Sequence, residues 1–563
     1  MSKKVSGLVR ALIILLSAIL PFLTQGHSAE KDGDRDGTPL AAGLVTSQYG
    51  PVTDARVRLA GQGHFTLTDK HGRFTVRGPR SYFNRPIVTA GKEGWFNNGA
   101  PLGMFGLVGD IELRPVFLAD NPDYRFNSPK VCFSCHSKVT RIWDQSKMAH
   151  TTANPKLLDM YYGTDAEGNP ERGEGYRLDN PSSNGNCATC HAPSAAAASR
   201  WSLDLKQVLN SPLTEWEGVA CEYCHKVRKV VDDPSAPSGA SAMLERQAPV
   251  RGRSILVFGP YDDVVVPPMA ASYNPLFDSG RFCSTCHSHL KRLGPGKTWE
   301  RLKIYSDEEW AAFGFDNNSI LPIQTTYQEW KQWQNGLPAG DPNKDKKCQQ
   351  CHMSWQKRLL PYDDFVVEGG AQHMWGTYRS PEQIRPHHFE GGTEAQLQNA
   401  LALELEGDRG DNELLVKVHI SNTNGGHWVP TGEPMRSVFL LVEARDSEDV
   451  PLQLIRGSRL PEWAGVGDIK NGDYSGLPGA VFAKVLADKA GNLNVPFWRA
   501  SRIVFDTRIR PKKTVTLEFV FALTDPEDEP SAEATLIYRP VPKRLARAKK
   551  WQVEDIHIVT KAW

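Results

Sequence analysis

Cys132-Phe133-Ser134-Cys135-His136, Cys187-Ala188-Thr189-Cys190-His191, Cys221-Glu222-Tyr223-Cys224-His225, Cys283-Ser284-Thr285-Cys286-His287 and Cys348-Gln349-Gln350-Cys351-His352 together use every cysteine of the chain. Each pair is separated by two residues and followed at once by histidine. A disulfide framework has no reason to keep that order, and zinc or thioredoxin-type pairs share the two thiols without the adjacent imidazole. Random placement of 10 Cys and 16 His along 563 residues would yield roughly 0.005 such matches. The pattern is that of c-type haem attachment. Two thiols add to the two vinyl groups of one porphyrin, and the next residue's imidazole reaches the iron as proximal ligand. The expected cofactors are therefore five covalently bound haem c groups and their iron. The thiols are those of the five quoted pairs, and the proximal ligands are His136, His191, His225, His287 and His352. All five sites fall within residues 132–352. So little chain cannot wrap each macrocycle separately, so the haems are expected to touch or nearly touch, as electron hopping requires.

Sixty-six basic and 65 acidic residues nearly cancel, so no global field points to nucleic acid or to an anionic membrane as partner. The first 28 residues read as a secretory signal peptide. Lys3, Lys4 and Arg10 precede an apolar run from Leu12 to Leu23, and the small residues Gly26 and Ser28 follow it. The run is short for a membrane span and Pro21 interrupts it. No later stretch is long enough to cross a bilayer, so the mature chain is expected in the periplasm or at the cell surface, the side on which haem attachment is completed.

Setting aside His27 and the proximal histidines leaves ten, of which His64 and His71 lie in the N-terminal region. Eight are then available for five distal positions. His289 follows His287 by two residues, which on a helix turns it to another haem. His427 lies in the glycine-bearing loop Asn424-Gly425-Gly426-His427-Trp428-Val429-Pro430-Thr431-Gly432 between apolar strands, where the backbone can come close to a porphyrin. Of His387 and His388, one is expected to ligate, with His388 preferred. His373 beside Met374 and Trp375 is a further candidate. His419 shares a strand face with Lys417, opposite Leu414, Val416, Val418 and Ile420, and reads as solvated. His557, between Ile556 and Ile558, reads the same way. Met148, Met353 and Met374 are secondary candidates, because methionine is more often a core filler than a ligand.

The chain reads as multidomain: an N-terminal β sandwich over 38–118, a sparse, mostly helical and loop-rich pentahaem domain over 121–392, a C-terminal β sandwich over 394–541, and a basic tail over 542–563. Short alternating runs at Arg56 to Leu59, Phe65 to Thr68, Arg73 to Val76, Ile87 to Ala90 and Ile111 to Leu113 carry the first sandwich. Helical patches at 138–150, 306–315 and 325–334 mark the middle. Runs at Leu414 to Ile420, Ser437 to Ala444, Val515 to Phe521 and Ala534 to Tyr538 mark the second sandwich, and Lys543 to Lys550 reads as a basic surface helix.

Three stretches of the N-terminal region, Gly50-Pro51-Val52-Thr53-Asp54-Ala55-Arg56-Val57, Thr68-Asp69-Lys70-His71-Gly72-Arg73-Phe74 and Gly91-Lys92-Glu93-Gly94-Trp95, resemble the carboxypeptidase regulatory-like domain. That resemblance implies an immunoglobulin-like sandwich without catalysis of its own, serving for docking or spacing. Trp143-Asp144-Gln145-Ser146, Glu217-Gly218-Val219-Ala220-Cys221 and Gln328-Glu329-Trp330, with Met353 after the fifth site, resemble cytochromes of the c-554-like kind. So do the loop around His427 and the stretch Phe497-Trp498-Arg499-Ala500 leading to Asp506-Thr507-Arg508. That family often carries Trp-x-x-Ser-x-His with the histidine as distal ligand. Here Met148 occupies the place and His150 lies two residues on. The resemblance thus makes His150 the expected ligand, with Met148 or no residue as the alternatives.

The leading expectation is an electron carrier rather than an enzyme, working between redox partner proteins, either other cytochromes or a membrane quinol-linked complex. One alternative is an oxidoreductase acting on a small nitrogen or sulfur compound at an open haem. Another is self-assembly as the subunit of an extracellular cytochrome filament, with a distal histidine donated by the next protomer.

Overall fold

The computed structural model describes residues 39–78, 86–199, 203–210, 218–231, 242–246, 255–266, 269–293, 320–354, 366–367, 377–379 and 383–563. The signal-peptide reading, the 306–315 helix, His373 and Met374 lie outside them. Sheet-rich regions at both ends enclose a middle in which short helices are joined by long loops.

Near the N-terminus, one sheet is built on Pro39–Ser47, which pairs with Arg73–Arg77, Gly50–Pro51 and Ile111–Glu112. A second runs Thr66–Leu67, Arg56–Leu59, Ile87–Gly91, Asn98–Pro101. Val45, Val57, Val88 and Leu113 are fully buried in the core these sheets share, so the alternating runs do form a two-layer unit. The unit does not stand alone. Trp95–Phe96 pairs with Arg114–Pro115 and also with Met269–Tyr273, which runs parallel to Ile255–Gly259. One sheet therefore joins the N-terminal unit to the middle of the chain. Polar contacts reinforce the seam: Arg58 reaches Asp262 at 2.6 Å, and the Gly61 N–H donates at 2.8 Å to Asp263, which also pairs with Arg379 at 2.5 Å.

In the C-terminal unit, Glu413–Asn422 lies between Leu401–Arg409 and Thr514–Ala522, with Leu454–Arg456 at the edge. The facing sheet runs Arg502–Asp506, Gly479–Ala487, Ser437–Arg445, Ser531–Arg539, Ile556–Ala562. Leu414, Val416, Val418 and Ile420 are all fully buried against Val438, Leu440 and Leu536, the two-residue period of a half-buried strand. His419 points to the other side and meets Thr516 at 2.8 Å.

The 542–563 tail differs from the expectation. Lys543–Ala548 is a helix, but Leu545 and Ala546 are buried, and the fully buried Lys549 donates to the Asp159 and Thr164 carbonyls at 3.0 and 2.8 Å. Ile556–Ala562 then completes the second sheet by pairing with Ser531–Arg539. Ile558 is buried in the sandwich core and His557 is exposed, so this segment is an edge strand. The helix expected over 138–150 stops at Asp144, and the chain then turns back towards the third site.

Candidate haem-binding site

A cavity of about 2060 Å³ runs through the middle of the molecule, and all ten cysteines line it. None of the ten, all of which are described, is in a disulfide. Three of the five motifs are themselves one-turn helices, Cys187–His191, Cys221–His225 and Cys348–His352, and the first begins at the end of Pro129–Phe133. The fourth begins at the end of Gly280–Cys283. One turn of helix brings the second thiol and the histidine onto the side of the first. All five proximal histidines line the cavity, and so do His289, His387 and His427.

Two imidazole pairs carry the geometry. The rings of His352 and His427 lie 6.1 Å apart, centre to centre, and within 10° of parallel. Those of His225 and His387 lie 6.4 Å apart at 30°. Two imidazoles bound on opposite faces of one metal, each through a bond of about 2.0 Å, have ring centres roughly 6 Å apart. The spacing therefore fits an iron between the rings. The outer nitrogens fit as well: His225 Nδ1 meets the Phe258 carbonyl at 2.7 Å, His352 Nδ1 that of Glu390, and His427 Nδ1 that of Trp428 at 3.1 Å. A donated Nδ1 proton fixes the tautomer and leaves Nε2 as the ligating atom. Burial pushes the pKa of His191 and His287 down to about 4 and that of His387 to about 3, and it lowers His136, His225 and His427 too. All six are held neutral near pH 7, the form that binds a metal.

Other expected positions fall differently. His388 does not line the cavity, and its Nδ1 lies 3.2 Å from the Pro386 carbonyl. It is His387 that faces His225, because the turn after Pro386 carries the two neighbouring side chains in different directions. His150 is exposed and bonded to the Asp144 carbonyl at 2.6 Å, whereas Met148 lines the cavity. His289 begins a strand, His289–Arg292, paired with Ile320–Gln324 rather than lying on a helix. Its ring packs edge-on against Phe497, 4.6 Å between centres. Gly426 approaches the indole of Trp333, where an added Cβ would come within 2.8 Å.

Neighbouring sites touch through their thiols. Cys132 lies close to Cys221, Cys190 to Cys286, Cys283 to Cys348, and Cys224 to Cys286, near enough for each thiol to perturb the other. The first site is thus beside the third and the third beside the fourth. The fourth also meets the second and the fifth. Gly218, at φ +81°, lets the approach to the third site lie against Met148 and Ala149: Val219 donates to the Met148 carbonyl at 2.9 Å, and Trp143 Nε1 to that of Val219 at 3.0 Å. An added Cβ at Gly218 would lie 2.1 Å from the Ala149 carbonyl.

Comparison with known proteins meets this geometry. Paired thiols, adjacent imidazoles and a shared cavity are the features a multihaem c-type cytochrome requires, and residues 131–226, which hold the first three sites, match the family described as cytochrome c554 and c-prime. A solved structure, a penta-heme cytochrome c552 from Thermochromatium tepidum, aligns at 20% identity and a TM-score of 0.49, over 78% of this chain and 98% of that one. No curated protein matches the sequence. No described helix is long and apolar enough to cross a membrane.

Proposed function

We propose that the chain is an exported pentahaem cytochrome that passes electrons between redox partner proteins through five closely packed haems. The observation that carries the reading is one cavity lined by ten thiols and eight histidines. When bound, each haem supplies a one-electron couple, and its axial ligands, burial and surroundings set the potential. The chain's own residues attach, ligate and enclose. His352 and His427 hold the fifth haem between them, and His225 and His387 hold the third. The contacts between thiols order the relay: the first site leads through the third to the fourth, which branches to the second and fifth.

A second reading has its own observation. For five proximal histidines, three others among the described residues face the cavity. An iron with an open face could then act on a small nitrogen or sulfur compound.

Mass measurement of the purified protein is expected to give five haems per chain, and fewer would overturn the count. Electron paramagnetic resonance of the oxidised protein separates the two readings, since low-spin iron throughout means six-coordinate carriers. His387→Ala should add one high-spin iron to the spectrum and His388→Ala none; the reverse result would transfer the third haem's distal role to His388.

A further inference from the structure

We propose that Glu329 is a positioning residue that holds the distal ligand His427 over the fifth haem. The inference rests on the proposed placement of His427 opposite His352.

Glu329 sits on the helix Thr326–Gly336, and its side chain is 1% exposed. A carboxylate buried to that degree persists only when its acceptor positions are filled. Oε1 accepts from Arg508 Nη1 at 2.6 Å and from Thr325 Oγ1 at 2.5 Å. Oε2 accepts from the Trp428 backbone N–H at 3.2 Å and from Thr431 Oγ1 at 2.8 Å. Trp428 and Thr431 belong to the loop that carries His427. One carboxylate therefore holds this loop by two points just beyond the ligand, from a helix that leads into the fifth attachment site. Arg508, held in turn by Asp506 at 2.7 Å, covers the Trp428 ring at 4.7 Å. Asn422 Nδ2 holds the His427 carbonyl from the other side at 2.9 Å.

The C-terminal sandwich brings His427 to a haem that the middle of the chain attaches, so the distance between the two imidazoles depends on what joins these units. Glu329 is the part of that joint that grips the loop on both sides of Val429 and Pro430, beside a Thr326–Thr431 hydroxyl contact at 2.9 Å. A glutamine in its place has one acceptor oxygen, and its NH₂ would face either Arg508 or the donors of the loop. Donor would then meet donor, and the loop would lose its hold.

The test uses the full-length protein with its haems. Glu329→Gln should retain all five haems by mass, because attachment through cysteine does not depend on the distal ligand. The oxidised variant should show one more high-spin iron per chain than the wild type, and added imidazole should remove that signal. His427→Ala is the reference. If it gains the high-spin iron and Glu329→Gln matches the wild type, the positioning role is overturned. If His427→Ala gains none, the pairing with His352 fails and the inference falls with it. Should Glu329→Gln yield no protein, Thr431→Val removes the loop's contacts to Glu329 and to Thr326 Oγ1 (2.9 Å) and keeps the Arg508 pair, with Thr326→Val, which removes only the second contact, as its control. Thr431→Val should give a partial high-spin signal that the control lacks, and a spectrum unchanged from wild type or matched by the control would overturn the role.

Discussion

Among single residues, the two adjacent histidines at 387 and 388 show how fine the distinction at a site can be. His387 faces the cavity with its ring centre 6.4 Å from that of His225, while His388 does not line the cavity. Composition and spacing treat the two alike; the turn after Pro386 separates them. A second buried group, Lys484, lies at the joint between the units, 3% exposed, with Nζ 2.9 Å from the Pro322 carbonyl. Burial, with Arg508 nearby, lowers its pKa from 10.5 to about 8. Between those values the unfolded chain holds a proton that the folded chain has released, so this group makes stability rise with pH across the window. The unfolding free energy of wild type relative to Lys484→Met should therefore grow from pH 8 to pH 10.5, on the order of 3 kcal/mol in all. Denaturant melts at several pH values measure it, and a constant difference would mean that Lys484 titrates as it does in water.

Secondary-structure elements explain why the N-terminal unit is more than a spacer. Its strand Trp95–Phe96 shares a sheet with Met269–Tyr273 and Ile255–Gly259, and the Phe258 carbonyl in that sheet orients His225. Arg56 and Arg58 neutralise Asp262, whose side chain is 1% exposed. Removing residues 39–118 would take away both arginines and a neighbouring strand. The truncated chain is expected to be strongly destabilised and to lose the oriented His225, seen as a lower haem content by mass or an altered third-haem signal. Five haems with unchanged spectra would restore the picture of a detachable docking module. The sequence predicted these elements unevenly. Arg56–Leu59 and the core of Glu413–Asn422 were legible because one face is apolar at a two-residue period. Leu401–Arg409 and Ile556–Ala562 carry the same alternation, but the first runs straight on from the helix Glu394–Ala400 and the second stands in the basic tail, so cross-strand pairing was needed to fix both as strands.

In the molecule as a whole, the thiols of the fourth site lie close to those of the second, third and fifth, which makes it the junction of the proposed relay. The first site is an end, touching the third. Cys283→Ala with Cys286→Ala, which removes the fourth haem, should divide the relay. The remaining haems, the first with the third and the second and fifth each alone, would then reduce in three separate kinetic phases in stopped-flow absorbance. Cys132→Ala with Cys135→Ala should leave a single connected relay. Equal kinetics in the two variants would contradict the branched order.

The chemistry of this chain is written in its residues: ten cysteines and five adjacent histidines are bound to spacing along one turn of chain, and local geometry suffices to read them. Period and turn residues likewise indicated sheet-rich ends and a sparse helical middle. Distal candidates were legible as a set, but not their places, because a distal imidazole comes from a segment distant in sequence. His427 reaches His352 only when the C-terminal sandwich docks, and Glu329 meets Trp428 and Thr431 only across that joint. Which histidine faces which, the order of the sites and the union of the N-terminal sheet with the third site were all settled by tertiary packing. These are contacts between units, and no local pattern encodes them.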